Sequence, residues 1–302
     1  MMDINRLAAP ALLGAIRVLG CLPRSAGIRI GLGIGRLLFT FDRKHRGIAA
    51  DNVSRAFGWP PESERVRHIV RQVFNNLGTL LFEIAWANRL DPQQHARYFR
   101  ISGREHFQRA MEKGRGVLLL TAHMGNWELF TIVARMAAIP ASVVYRPLDS
   151  PVLDDAVKKI RCRYGAQLIP TKYAFYRIAK TLRKKGCVAM LMDQNVDYYN
   201  GVFVDFFGRR ACTNRGMAYM AVRTGAPVVP VFMLREQGGF RAVVLPEIPL
   251  TKTGDLQKDI EINTAKYNQA IEDIVRRYPD QWFWVHQRWK TKAYCAWPRE
   301  TG

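Results

Sequence analysis

The feature that most constrains the fold is an alternation, after residue 90, of short β-forming apolar runs with longer helical segments. Val117–Thr121, Ser142–Tyr145, Val188–Met192, Val228–Leu234 and Phe240–Leu245 read as strands. Helical patterns lie among them at Glu128–Ala138, Leu153–Tyr164, Ala174–Lys184 and Asn214–Thr224, with a closing helix at Asn263–Tyr278. Such runs are apolar on both faces, so the expected fold is α/β: a central mixed, mostly parallel sheet covered by helices. Upstream, Val66, Ile69, Val70, Val73, Phe74, Leu77, Leu80, Leu81 and Ile84 recur at three-and-four spacing. They predict one helix over residues 62–90, ended by Asp91-Pro92.

In open α/β sheets, ligands bind beyond the carboxyl ends of the strands. Three predicted strands end in a charged residue: His123, Arg146 and Asp193. The first belongs to His123-Met124-Gly125-Asn126-Trp127-Glu128. On a continuous helix, five residues turn through about 500°, leaving the His123 and Glu128 side chains roughly 140° apart. A turn at Gly125, with Asn126 capping a new helix, would let Glu128 fold back and orient the imidazole as an acid orients a catalytic base. A packed histidine beside a helix start fits the same residues, but two further charged strand ends favour a site. Backbone N–H groups at Gly125–Asn126 are the expected oxyanion donors, with Arg146 or Arg161 nearby. Arg146 also suits an acceptor phosphate or a surface ion pair. Asp193 suits an arginine or a turn cap.

Lys and Arg number 46 against 25 Asp and Glu, a net charge of +21. This surface attracts nucleic acid, an anionic membrane or an acidic carrier protein. No helix-turn-helix, zinc-finger or ribonucleoprotein-type motif accompanies the charge, so nucleic acid is not the expected partner. The five cysteines are scattered without C-x-x-C spacing, which suggests neither a disulfide framework nor a zinc site. No Gly-x-Ser-x-Gly elbow is present and no cysteine adjoins the histidine motif, so neither a serine nor a cysteine nucleophile is suggested.

The N-terminal 47 residues carry eight Arg or Lys against two Asp, with apolar stretches at 7–22 and 26–41 broken by Arg17, Arg29 and Arg36. Arg29, Arg36 and Arg43 share a helix face; Gly27, Gly31 and Gly35 allow close helix approach. We read residues 1–47 as a membrane-associated helical segment, lying on or crossing the bilayer, and 48–302 as the catalytic domain. Two ordinary packing helices are the other reading. Phe203, Phe206 and Phe207 suit either an acyl groove or a core hairpin. Trp282, Trp284 and Trp289 suit an interfacial belt or core packing.

His123-Met-Gly-Asn-Trp-Glu128 resembles the H-x4-D/E block of glycerolipid-type acyltransferases, and its Glu form resembles the lipid A biosynthesis acyltransferases of Gram-negative bacteria. Further blocks are similar to that family's: Tyr145–Asp154 continuing to Arg161 and Gly165, Met192–Asn195, Val202–Gly208, Gly225–Pro230 and the ending Pro279–Lys290. The resemblance implies a glycerolipid-acyltransferase-like fold. It also implies transfer of a fatty acyl chain from an acyl-carrier-protein thioester to a hydroxyl of a lipid A precursor. The reaction would occur at the cytoplasmic face of the inner membrane, without metal or organic cofactor. By the same resemblance, catalysis falls to His123, Glu128, Arg161 and Asp193. Arg146, Asn126, Gly125, Phe206 and Phe207 are the expected substrate-binding residues. Another glycolipid or a lysophospholipid as acceptor, or a non-catalytic basic binder of membrane or nucleic acid on this fold, are the alternatives.

Overall fold

A computed structural model describes residue 14 and residues 16–292 of the chain. Half of the apolar stretch 7–22, and Cys295, thus lie outside the described residues. Helical residues 16–21 lead into three longer helices: α1 (Arg24–Phe41), α2 (Arg43–Phe57) and α3 (Glu64–Ala87). Ser63 caps α3 by accepting from the Val66 N–H, and the predicted apolar face is buried from Val66 to Phe74. The boundary expected after residue 47 falls inside α2.

The α1–α3 seam is built on glycine. Gly27, Gly31 and Gly35 are buried on one face of α1. A methyl group on Gly35 would overlap the Phe74 carbonyl, and one on Gly78 of α3 would overlap the Gly31 carbonyl. The two backbones pass at contact distance, which only a hydrogen side chain permits. The other side of α1 is exposed: Ile30, Ile34, Leu37, Leu38 and Phe41, between 40% and 77% accessible, form a stripe near the exposed Arg29, Arg36 and Arg43. No helix among the described residues is long and apolar enough to cross a membrane.

The body is a seven-stranded sheet in the order β1-β9-β8-β2-β5-β3-β4. Its strands are β1 (Phe99–Ser102), β2 (Val117–Thr121), β3 (Ala141–Tyr145), β4 (Gln167–Pro170), β5 (Cys187–Leu191), β8 (Val228–Glu236) and β9 (Gly239–Val244). All pairings are parallel except the β8–β9 hairpin, so the mixed, mostly parallel sheet is as expected. A single helical turn, His95–Tyr98, precedes β1, and the longer helices of the body are α4 (Arg104–Glu112), α5 (Phe130–Met136), α6 (Pro151–Cys162), α7 (Ala174–Arg183), α8 (Gly216–Thr224) and α9 (Leu256–Arg277). The four-residue strands β1 and β4 are absent from the sequence reading because Phe99-Arg-Ile-Ser and Gln167-Leu-Ile-Pro are too short and polar to signal.

A separate hairpin, β6 (Gly201–Phe206) and β7 (Arg209–Asn214), turns through Phe207 and Gly208, both at positive φ, the backbone of a tight two-residue turn. Phe206 and Phe207 are buried in an aromatic core with Trp282, Trp284 and Phe57. Of the two readings of Phe206 and Phe207, the structure thus places both in the core hairpin, and Trp282 and Trp284 belong to the core rather than to an interfacial belt.

The glycine seam yields a prediction. Gly78→Val should lower stability by about 1–3 kcal/mol through overpacking and expose α1 to limited proteolysis. Unchanged melting and cleavage would contradict it.

Candidate active site

Strands β2 and β5 are parallel neighbours with Thr121 opposite Leu191. Two residues beyond each end, the same register brings His123 opposite Asp193. His123 Nδ1 lies 2.8 Å from Asp193 Oδ1, and the His123 backbone N–H donates to Oδ2 at 2.9 Å. Trp282 Nε1–H donates to the same oxygen at 2.8 Å. The Asp193 side chain is 1% accessible. Burial pushes its carboxyl up, but the charge and hydrogen bonds of His123 and the Trp282 N–H outweigh burial and hold it below the usual carboxylate range. An ionised carboxylate only accepts, so Nδ1 carries the imidazole proton. Nε2 is left as the basic nitrogen, with no hydrogen bond among the described residues.

The expected His123–Glu128 pairing does not form. Glu128 is bound by Arg161 through two hydrogen bonds, Nε to Oε2 at 2.7 Å and Nη2 to Oε1, and by the Trp127 indole at 3.2 Å. A bidentate guanidinium with its opposite charge binds a carboxylate more strongly than a neutral imidazole does. The acid that orients His123 therefore comes from the next strand. Asp193 holds the histidine rather than an arginine or a turn, and Glu128 is the residue that holds Arg161. All four expected catalytic residues gather at one end of the sheet, but with the two acids exchanged.

The chain does turn at Gly125, at φ +57°, where a side chain would overlap the Met233 carbonyl. Asn126 begins a 3₁₀ turn at Trp127–Leu129, but its side chain is no cap. The amide is fully buried and donates to Glu83 at 2.8 Å and to the Leu80 carbonyl at 3.3 Å. It supports the loop from behind, away from substrate. Glu83 is in turn clamped by Arg235, whose backbone exchanges two hydrogen bonds with the Gln281 amide. Gly125 N–H donates to the Gln281 carbonyl at 2.9 Å, so it is not the oxyanion donor expected. Arg146 is also not brought into the site: 82% accessible, it pairs at 3.7 Å with the still more exposed Asp149.

A strap from Gln281 to Lys290 closes the site, pairing with the histidine loop at Met124 and Trp282. The His123 ring sits edge-on to Trp127 at 4.9 Å and 6.0 Å from the Phe283 ring. Phe283, His286 and Lys290 also line a groove of about 580 Å³, together with Asn195 and with Leu38 and Lys44 from the α1–α2 junction. That size is within the range of small-molecule sites, about 300–1,000 Å³. A largely apolar crevice under α5 measures only about 70 Å³ and contains none of the four site residues. Cys187 is buried, its thiol pushed up to about 12 by burial, which leaves it unreactive. Among the described residues, no group of three or more His, Cys, Asp or Glu is arranged to hold a metal ion.

Sequence reasoning missed Glu83, Arg235, Gln281, Trp282 and His286 as parts of the site. The discoverable signal was polar: Glu83 and Arg235 are charges within otherwise apolar patterns, which implies a partner.

His286 gives the site a pH signature. Burial depresses its pKa to about 4, against an ordinary value of 6.5. Between pH 6.5 and 4 the unfolded chain takes up a proton there and the folded chain does not, so stability falls as pH drops through that window. His95, lowered by burial and then by Arg135, acts in the same direction. Asp193 contributes stability above its unfolded value near 3.8 and loses it only at lower pH. The urea midpoint should therefore fall between pH 6.5 and 4, and fall less in His286→Gln. Equal falls would contradict the assignment.

Residues 5–291 match the profile of the bacterial lipid A biosynthesis acyltransferases. The chain is 28% identical over 283 residues to the lipid A biosynthesis lauroyltransferase of Escherichia coli, covering 93% of this chain and 90% of that protein. It is 26% identical, with the same coverage, to the palmitoleoyltransferase of that organism. A phosphatidylinositol mannoside acyltransferase of Mycolicibacterium smegmatis is 26% identical over 193 residues, 61% of this chain and 60% of that protein.

Proposed function

The chain belongs to the bacterial lipid A biosynthesis acyltransferase family, and on that premise we propose that it moves a fatty acyl chain from an acyl-carrier-protein thioester to a hydroxyl of a lipid A precursor. The observation that carries this reading is the His123–Asp193 pair beside the groove. An alcohol is a poor nucleophile until a base takes its proton as the new bond forms. His123 Nε2 is that base. Asp193 keeps the proton on Nδ1 and stabilises the imidazolium that develops. The hydroxyl oxygen attacks the thioester carbon, the tetrahedral intermediate expels sulfur, and the imidazolium returns the proton to the leaving thiolate. Transfer is direct, with no covalent acyl-enzyme. Arg161, fixed by Glu128, contributes a positive charge beside the histidine loop. No metal or organic cofactor is needed for these steps.

The exposed stripe of α1, with its arginines, has the composition of a helix lying in a lipid interface. We assign this face to the anionic cytoplasmic surface of the inner membrane. Leu38 belongs both to the stripe and to the groove. A lipid acceptor would thus reach His123 without leaving the membrane. The net charge of +21 suits both that surface and an acidic carrier protein.

The test is transfer by the purified chain from acyl-acyl carrier protein to a lipid A precursor. His123→Ala should abolish it, and Asp193→Asn should reduce kcat by roughly 10³–10⁴-fold, the cost of a wrong tautomer in such pairs, with both variants folded. Full transfer by His123→Ala would refute the mechanism. Mass spectrometry of lipids from a strain lacking the gene identifies the acceptor: an underacylated lipid A is expected, and an intact lipid A with another underacylated glycolipid would refute that acceptor.

A further inference from the structure

The loop after β5 holds two imidazoles, His286 in the lining of the groove and His123 behind Phe283, another lining residue. Asp193 accepts a hydrogen bond from His123 Nδ1–H, leaving Nε2 as an acceptor. Two residues on, the Asn195 N–H donates to Nε2 of His286 at 2.7 Å. A ring nitrogen that accepts carries no proton, so the neutral His286 ring has its proton on Nδ1. Burial keeps this ring neutral through the physiological range. His286 Nδ1 has no hydrogen bond among the described residues, and it is not one of the buried unpartnered polar atoms. It is therefore accessible, in a residue that lines the groove. The backbone beneath it is fixed: the His286 carbonyl accepts from Asn52 Nδ2 at 2.8 Å and from the Arg288 N–H at 2.9 Å.

The loop thus presents one imidazole as an acceptor and one as a donor, and neither can exchange roles while its other nitrogen is engaged. Acyl transfer to a hydroxyl requires both functions, and the Gly125 amide is already committed to Gln281. We propose that His286 Nδ1–H donates to the carbonyl oxygen of the acyl group and stabilises the charge that oxygen gains. As the hydroxyl oxygen bonds to the acyl carbon, its proton passes to His123 Nε2 and the carbonyl electron pair moves onto oxygen, where it accepts from His286. The intermediate then re-forms the carbonyl, the carbon–sulfur bond breaks, and His123 returns the proton to sulfur. His286 keeps its own proton throughout.

This inference rests on the acyl-transfer reading, and the variants separate the two. In His286→Gln the new Oε1 can accept from the Asn195 N–H as Nε2 does, but no donor replaces Nδ1–H. Its kcat should fall on the order of 10²–10³-fold, the usual cost of losing one oxyanion donor. The acceptor KM should stay within about threefold, because the interaction strengthens only in the transition state. His286→Asn, which carries an amide N–H near the Nδ1 position, should recover part of the loss. A His286→Gln enzyme with parental kcat, or one changed in KM alone, overturns the proposal. Inactive His123→Ala beside fully active His286→Gln refutes this step only, whereas active His123→Ala refutes the underlying reaction. Nitrogen-15 spectra of the unsubstituted chain give a check that no folding defect can obscure. His286 should carry its proton on Nδ1 at neutral pH, and a proton on Nε2 or an imidazolium there overturns the proposal.

Discussion

The site depends on one buried carboxylate. Asp193 receives three hydrogen bonds: two from the loop after β2 and one from the C-terminal strap. Three chain segments far apart in sequence therefore meet at one negative charge. Leaving such a charge buried without its donors would cost several kcal/mol, so the cluster forms as a unit. Its consequence is chemical as well as structural, because the carboxylate sets the histidine tautomer and leaves Nε2 toward substrate.

A second buried cluster works in the same way one layer back. Glu83 of α3, Arg235 of β8 and the Asn126 amide lock the far side of the histidine loop. Gly125 lets that loop pass against the β8 backbone. The loop is held on both sides, which limits the freedom of His123 before any substrate arrives. The Glu128–Arg161 pair is a third unit, separate from the His123–Asp193 pair although it shares the histidine motif.

Much of the fold is legible in the sequence, because five of the seven sheet strands are apolar runs with clear ends. Val117–Thr121 coincides with β2 in both boundaries, and the strand-end argument identifies His123 and Asp193 as residues of one site. What the sequence conceals is which charge meets which. Spacing within a motif suggested Glu128 as the partner of His123, whereas sheet register supplies Asp193 from seventy positions away. Register between parallel strands is a tertiary property, with no local signal to report it. The same holds for Phe206 and Phe207: their sequence fits a groove or a core equally, and only packing against Trp282 and Trp284 decides. Arg146 sits at a strand end as expected, but its side chain faces outward to Asp149.

The central claim is that Asp193, rather than Glu128, holds the proton on His123 Nδ1. Proton NMR of the intact chain tests it through the downfield resonance of an imidazole N–H bound to a carboxylate. That resonance should vanish in Asp193→Asn and persist in Glu128→Gln. Its persistence in Asp193→Asn together with its loss in Glu128→Gln would contradict the account.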